Sequence, residues 1–227
     1  MSGDYSTDVV PAFFENTRIE WEVVESPSLS VEWGWTGQGS WFIGEGEGIS
    51  FTIERIIEDV EGYLQIGNFS IVTSNTDIAR ELVFGVWGLT PFFPGFVVPV
   101  GPENLENLNE TAYSSAARVK NNYLNGSMVS QYGQLTVGGE VYDCIIFDYF
   151  QDPSGFGEPQ VTHLAYDIES GILVSGNTSV TFDNPYVLHI ELASVTRVST
   201  TNYLLIGIVS VGGLVVVVVA VFLSREK

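Results

Sequence analysis

Hydrophobic and polar side chains alternate along most of the first 200 residues. At 18–23, for example, Ile19, Trp21 and Val23 are separated by charged residues. A period of two is typical of strands with one buried face, and short turns rich in Gly, Asn and Asp favour antiparallel pairing. The pattern predicts about ten strands, at 18–23, 29–35, 49–57, 62–73, 81–87, 128–137, 141–150, 161–168, 172–180 and 186–198. We therefore expect a mainly β (α+β) fold, built on a curved antiparallel sheet of half-barrel or sandwich type.

One strand is apolar on both faces. The segment 141–150 reads VYDCIIFDYF, and such a strand is expected in the centre of a sheet that is covered on both sides. Cys144 and Ile146 would point to one face, and Ile145 and Phe147 to the other. Cys144 is the single cysteine, so no intramolecular disulfide is possible.

One helix is predicted at 102–124, where apolar residues recur at spacings of three and four. Pro102 suits its first turn, and Asn125-Gly126 suits its end. Before it, 89–100 (LTPFFPGFVVPV) carries three prolines and cannot be a central strand. Its aromatic and branched residues are expected either to plug the open side of the sheet or to form an apolar lid or a lipid-touching loop. These residues are Phe92, Phe93, Phe96, Val97 and Val98.

The C-terminus carries the longest apolar run. Residues 203–223 contain no charge, and the basic residues Arg225 and Lys227 follow in the short tail 224–227. At about 1.5 Å per residue, 21 helical residues span the roughly 30 Å hydrocarbon core of a bilayer. The sequence predicts a transmembrane helix at 203–223, a β-rich domain at 1–200, and the lipid bilayer as a partner through this helix.

The orientation of the anchor has two solutions. The basic tail favours a cytoplasmic C-terminus with the large domain outside a cell membrane. That topology normally needs an N-terminal signal peptide, and MSGDYSTDVV does not resemble one. Either the signal peptide has been removed from this chain, or the protein is tail-anchored with a cytoplasmic domain. Four N-x-[ST] sequons favour the outside and are possible glycosylation sites: Asn68, Asn109, Asn125 and Asn177.

Charge excludes two classes of partner. The chain has 28 acidic and 8 basic side chains, giving a formal net charge of -20. Such a polyanion repels nucleic-acid phosphates and anionic lipid headgroups. Its 14 Phe, 10 Tyr and 5 Trp provide a sizeable core.

No catalytic motif is present in the sequence, and we expect no enzyme activity and no cofactor. His163 and His189 lie in predicted strands without an obvious third partner. Asp148, Asp152, Asp167 and Glu169 could converge as the acids of a glycosidase do. Three acidic pairs could bind calcium weakly. They are Glu45 with Glu47, Asp148 with Asp152, and Asp167 with Glu169.

Three stretches carry a family resemblance: 62–73 (GYLQIGNFSIVT), 86–97 (VWGLTPFFPGFV) and 164–174 (LAYDIESGILV), followed by a closing strand at 186–192. Together they resemble uncharacterised single-pass surface proteins of archaea, particularly Asgard lineages. The resemblance covers 49–223 and implies a surface location without a known activity. Curved sheets with such hairpins also occur in bacterial lipoprotein carriers, which is an analogy of fold alone.

Three functions follow as hypotheses. The first is a non-enzymatic surface domain that contacts other surface proteins, glycans or ions. The second is a carrier of lipid or another apolar ligand, with a cavity between the sheet and the 102–124 helix. The third is a hydrolase that uses paired carboxylates.

Overall fold

The computed structural model describes residues 15–34, 38–82, 92–120, 125–152, 158–182, 184–197, 205–211 and 214–220. Its elements are β1 (Thr17–Glu25), β2 (Val31–Glu32), β3 (Ser40–Trp41), β4 (Gly48–Ile56), β5 (Val60–Ile66), β6 (Phe69–Ser74), α1 (Asn75–Glu81), α2 (Pro102–Arg118), β7 (Gly126–Val137), β8 (Glu140–Gln151), β9 (Val161–Asp167), β10 (Leu173–Phe182), β11 (Asn184–Arg197), β12 (Leu205–Val211) and β13 (Leu214–Ala220). The fold is mainly β, as predicted.

Nine strands form one antiparallel sheet in the order β6-β5-β4-β1-β11-β10-β9-β8-β7. Two runs of sequential hairpins, β4–β6 and β7–β11, are joined through β1. Ile19 of β1 lies opposite Val195 of β11 on one side and Phe51 of β4 on the other. The first and last strands of the sheet domain in sequence therefore meet in its middle.

The sheet is strongly curved. Strands β7 and β11 are four places apart, which in a flat sheet means a separation of roughly 19 Å, yet their Cα atoms approach within 8 Å. One face is consequently concave, and we call it the inner face. It carries the fully buried Ile19, Trp21 and Val23 of β1, as the alternating pattern predicts.

Helix α2 buries the predicted side of its surface. Leu105, Leu108, Ala112 and Ala116 are buried, and Val119 is buried just beyond the helix. The helix ends at Arg118, earlier than predicted, because the Lys120 N–H donates to the Ala117 carbonyl and tightens the last turn. Residues 121–124 of the predicted helix lie outside the described residues.

Two strand predictions were wrong. The segment 62–73 is a hairpin rather than one strand, because Gly67, at φ 55°, allows a two-residue turn with Asn68. Residue Glu81, predicted to start a strand, ends helix α1 instead. The helix begins because the Ser74 hydroxyl accepts a hydrogen bond from the Asp77 N–H at 3.1 Å. The remaining residues of the 81–87 prediction, except Leu82, lie outside the description.

A third prediction was too long. Of 29–35 only Val31–Glu32 forms a strand, which pairs with Ser40–Trp41. The Trp33 N–H donates to the Gly39 carbonyl at 2.8 Å, so the chain turns there instead of extending. Trp35 is outside the described residues.

The C-terminal residues form a separate unit, 198–227. Within it, β12 and β13 pair as an antiparallel hairpin. Among the described residues, none of the helices has the length and apolarity that crossing a bilayer requires. The transmembrane helix expected at 203–223 is not shown by the part of that segment that the structure describes.

Candidate functional site

The apolar loop before α2 fills the inner face of the sheet. Phe96 stacks on Trp21 of β1, with ring centroids 4.3 Å apart and planes at 28°. Phe92 lies 5.0 Å from Phe147 of β8, measured between ring centroids. The loop thus bridges strands that are four places apart in the sheet. We call residues 92–98 the plug, and all five of the apolar residues noted in the sequence are buried: Phe92, Phe93, Phe96, Val97 and Val98.

A buried asparagine holds the plug in place. Asn75, the first residue of α1, is 1% exposed. Its side-chain oxygen accepts hydrogen bonds from the Phe96 and Val97 N–H groups at 2.9 and 3.1 Å. Its amide donates to the Pro94 and Val97 carbonyls at 3.2 and 2.9 Å. Sequence reasoning missed this residue, and the only local signal was the Ser74-x-x-Asp77 helix start beside it.

The β9–β10 hairpin contacts the plug from the other side. The Val98 N–H donates to the Gly171 carbonyl, and the Leu173 N–H donates to the Phe96 carbonyl, both at 2.9 Å. The Tyr166 hydroxyl reaches the Gly95 carbonyl at 2.8 Å. The plug is therefore bonded on both sides through its backbone, as a packed segment of the core.

The interior of β8 is buried on both faces, as predicted. Cys144, Ile145, Ile146 and Phe147 are all buried. Burial, and to a lesser extent nearby Asp167 and Asp143, raises the pKa of the Cys144 thiol to about 12. The nucleophilic thiolate is accordingly disfavoured at neutral pH.

The prediction that β8 is a central, fully covered strand needs correction. It is the second strand from an edge of the sheet. Its ends are open, because Val141 and Phe150 are 62% and 47% exposed. Apolar residues on both faces of this strand thus reflect burial at its middle and an exposed apolar surface at its ends.

Both histidines lie on the outer face, opposite the plug. His163 Nδ1 is 2.7 Å from the Asp148 carboxylate, and His189 Nε2 is 3.5 Å from the Glu191 carboxylate. Strand register puts Asn177 between the two histidines, directly opposite each. The result is a polar row across β8 to β11 that sequence spacing alone does not reveal.

The candidate carboxylates do not converge. Asp167 lies opposite Cys144 in the register, four residues along β8 from Asp148. Asp152 lies four residues from Asp148 in the other direction, so each separation is roughly 13 Å, beyond the spacing of glycosidase acids. Glu169 is exposed in the β9–β10 turn, and Glu47 accepts a hydrogen bond from the Gly44 N–H. In the described part of the chain, no three His, Cys, Asp or Glu side chains form a group able to hold a metal ion.

The four sequons have different environments. Asn68 is exposed in the β5–β6 turn. Asn109, in α2, accepts a hydrogen bond from the Ser130 hydroxyl. The Asn125 amide donates to the Asp152 carbonyl at 2.6 Å, and Asn177 is half-buried within β10.

An apolar surface lies beside the histidine row, at one end of the outer face. Phe150 of β8 is opposite Val161 of β9, which is opposite Ser179 of β10, and Ser179 is opposite Val187 of β11. Val129, on β7, is opposite Asp148 and 53% exposed. A shallow depression of about 320 Å³ opens here, with Pro159, Val161 and Val187 among its lining residues. We call the surface formed by Val129, Phe150, Val161 and Val187 the outer apolar patch.

The border of this patch is acidic. Asp148 precedes Phe150 by two residues, Asp152 follows it by two, and Glu158 lines the depression. The chain has no lysine or arginine between Lys120 and Arg197. The strands that form the patch therefore bring no lysine or arginine to these carboxylates, and the side chain of His163 contacts Asp148.

No protein-family model matches the chain, and no curated protein is significantly similar to it.

Proposed function

We propose that this protein is a non-enzymatic, membrane-anchored surface domain that binds another protein through the outer apolar patch. The observation that carries the proposal is the position of the exposed apolar side chains. Phe150, Val161 and Val129 are clustered on neighbouring strands rather than scattered. A contiguous exposed apolar surface with a polar rim is characteristic of interaction sites.

Charge indicates the chemistry of the partner. The rim contributes Asp148, Asp152 and Glu158, and the surrounding strands contain no lysine or arginine. A partner that inserts an apolar side chain and flanks it with Lys or Arg would neutralise these carboxylates, and electrostatic complementarity of this kind favours fast and selective association. We therefore propose a protein segment that is both apolar and basic.

The anchor and the outside location are part of the same proposal. They rest on the uncharged run 203–223, on the basic residues that follow it, and on the four sequons. Protease added to intact cells is expected to digest the β-rich domain. Protection in intact cells, with digestion only after lysis, would favour the tail-anchored alternative.

The packed plug argues against the lipid-carrier alternative. A lid over a lipid cavity needs freedom to move, whereas the side chain of Asn75 makes four hydrogen bonds to the plug backbone. Phe96 is also fully buried against Trp21. Native mass spectrometry of the purified protein tests this, and a co-purifying lipid held inside the sheet would favour the carrier.

The binding proposal is tested with synthetic peptides of defined chemistry. The full chain is placed in zwitterionic nanodiscs and titrated with 12-residue peptides that alternate Lys with Leu, Lys with Ser, or Glu with Leu. We expect the Lys-Leu peptide to bind most tightly and to shift the NMR methyl signals of Val129, Val161 and Val187. Phe150→Ser should weaken this binding about tenfold, as loss of an interface anchor does.

The matched control is Val72→Ser. Val72 is 66% exposed on β6, at the opposite edge of the sheet, so its loss should leave the affinity unchanged. Equal binding of the Lys-Leu and Lys-Ser peptides would refute an apolar site. Methyl shifts produced by neutral oligosaccharides but by none of the peptides would instead assign the surface to glycans.

A further inference from the structure

The four sequons differ in how much of the folded structure must open before an enzyme can bind each of them. Asn68 and the two residues that complete its sequon, Phe69 and Ser70, lie at the tip of the β5–β6 hairpin. Strand β6 is at an edge of the sheet. Opening this tip breaks the strand pairs of Phe69 with Ile66 and of Ser70 with Gln65, together with the contact of the Phe69 ring with Trp33, whose ring centroids are 5.6 Å apart. Local opening at such an edge costs far less free energy than global unfolding.

We infer that Asn68 is the N-glycan acceptor of the folded domain. The donor is an oligosaccharide joined through phosphate to a polyisoprenoid lipid. The anomeric carbon of the sugar forms a bond to Asn68 Nδ2 while its bond to the phosphate oxygen breaks. The lipid phosphate leaves with the electron pair, and one amide proton is lost. The side chain suits this role because it is exposed and hydrogen-bonds to none of the described residues.

The acceptor nitrogen of Asn125 is engaged. Its amide donates to the Asp152 carbonyl at 2.6 Å, and the Asp152 N–H donates back to the Asn125 carbonyl at 2.9 Å. Glycosylation at Asn125 would break this double connection between the ends of β7 and β8. Asn125 is therefore a poorer acceptor than Asn68, even though β7 is also an edge strand.

The other two sequons lie inside regular elements. Asn177 is paired on both sides, with His163 of β9 and His189 of β11, so its sequon can be exposed only by opening the interior of the sheet. Asn109 is near the middle of α2 and accepts a hydrogen bond from Ser130. Both sites need extensive unfolding before an enzyme active site can bind them.

The inference rests on the proposed function only because export brings the domain to the glycosylation machinery. A reaction in vitro tests the acceptor site without testing the surface location. The purified full chain in nanodiscs is incubated with a single-subunit oligosaccharyltransferase and lipid-linked oligosaccharide. Eleven-residue peptides centred on each sequon are modified in parallel as unfolded references. Peptide mapping by mass spectrometry then gives, for each site, the rate in the folded chain relative to its peptide.

We expect the relative rate at Asn68 to be at least about tenfold higher than at Asn125, Asn109 or Asn177. Asn68→Gln and Ser70→Ala should each abolish the main product, and Ser70→Ala does so while keeping the asparagine. A relative rate at Asn177 equal to that at Asn68, or an Asn68 peptide that is modified while the folded chain is not, would overturn the inference. Protease digestion of intact cells reports on the topology independently of either result.

Discussion

The indole ring of Trp21 stacks on the phenyl ring of Phe96, with centroids 4.3 Å apart, and its N–H donates to the Leu173 carbonyl at 2.7 Å. The Leu173 N–H in turn donates to the Phe96 carbonyl. Three segments distant in sequence, β1, the plug and β10, are thus connected by one stacking contact and two hydrogen bonds. This arrangement makes the plug part of the core, and several predictions test it.

Removing the stacked ring should destabilise the domain strongly. Phe96 is fully buried, and Phe96→Ala deletes a ring that the surrounding core cannot refill. We expect the free energy of unfolding to fall by about 3 to 5 kcal/mol, measured by chemical denaturation. Phe42→Ala is the control, since Phe42 is largely exposed and should change stability by under about 0.5 kcal/mol. Similar values for the two variants would make the plug a mobile lid.

The hydrogen bonds of Asn75 should matter as much as the aromatic contacts. Asn75→Ala leaves the buried N–H groups of Phe96 and Val97 without their acceptor, and each orphaned buried group costs about 1 to 3 kcal/mol. We expect a loss of at least about 2 kcal/mol in thermal or chemical denaturation. Asn104→Ala removes one half-buried bond, to the Val100 carbonyl, and should cost under about 1 kcal/mol. A smaller loss for Asn75→Ala than for this control would contradict the anchoring role.

Gly171 should tolerate no side chain. A Cβ atom there would lie 2.1 Å from the Val98 carbonyl oxygen, and its φ is +74°. Gly171→Ala should therefore cost about 2 to 5 kcal/mol, from the positive φ together with overpacking. Gly138→Ala is the control, because φ at Gly138 is +60° but no atom lies within 4 Å of a Cβ there. This variant should lose only the free energy that a positive φ costs a residue other than glycine, about 1 kcal/mol. Equal melting temperatures for Gly171→Ala and Gly138→Ala would mean that the β9–β10 hairpin is not tightly packed against the plug.

Stability should fall in alkaline solution. Burial raises the pKa of Cys144 from 9.0 to about 12, and that of Tyr149 from 10.0 to about 12. Because the unfolded chain loses these protons at lower pH than the folded chain, the two groups contribute their full stabilisation below about pH 9. That contribution to the free energy of unfolding is lost as pH rises toward 12. Each group contributes a slope of about 1.4 kcal/mol per pH unit at most.

Cys144→Ala should reduce the loss of unfolding free energy between pH 9 and 10, a range in which the tyrosines contribute little to that loss. Denaturant titrations at a series of pH values give the free energy of unfolding of each variant as a function of pH. Only the slope is compared, because the smaller side chain lowers the stability by the same amount at every pH. The native thiol should also resist thiol reagents until denaturant is added. Rapid labelling of the native protein at pH 8 would place Cys144 at the surface.

Deleting 203–227 should release a folded domain from membranes. The sheet domain, 1–197, and the C-terminal unit, 198–227, are separate compact units, and all nine strands of the main sheet lie in the first. The truncated chain should be recovered without detergent and keep its β-type circular dichroism. Aggregation, or loss of that spectrum, would show that the C-terminal residues are needed for folding.

Much of the secondary structure follows from local pattern. The alternation at 18–23 predicted β1 and its buried face, and the spacing of Leu105, Leu108, Ala112 and Ala116 predicted the buried side of α2. These predictions were confirmed because side chains along a strand or a helix point to the same side at fixed intervals. Burial of one side therefore produces a regular spacing of apolar residues in the sequence. Errors arose at Gly67 and Ser74, where a single residue turns the strand or starts a helix.

The sequence by itself thus determined most of the strands, the buried face of helix α2 and the absence of lysine and arginine from 121–196. Only the tertiary structure decided which strands are neighbours: that β1 joins β11, that Asn75 binds the plug, and that Phe150, Val161 and Val187 share one surface. The physical reason is that strand pairing uses backbone groups common to every residue. Order and register are therefore fixed by packing between segments far apart in the chain, which no local period records.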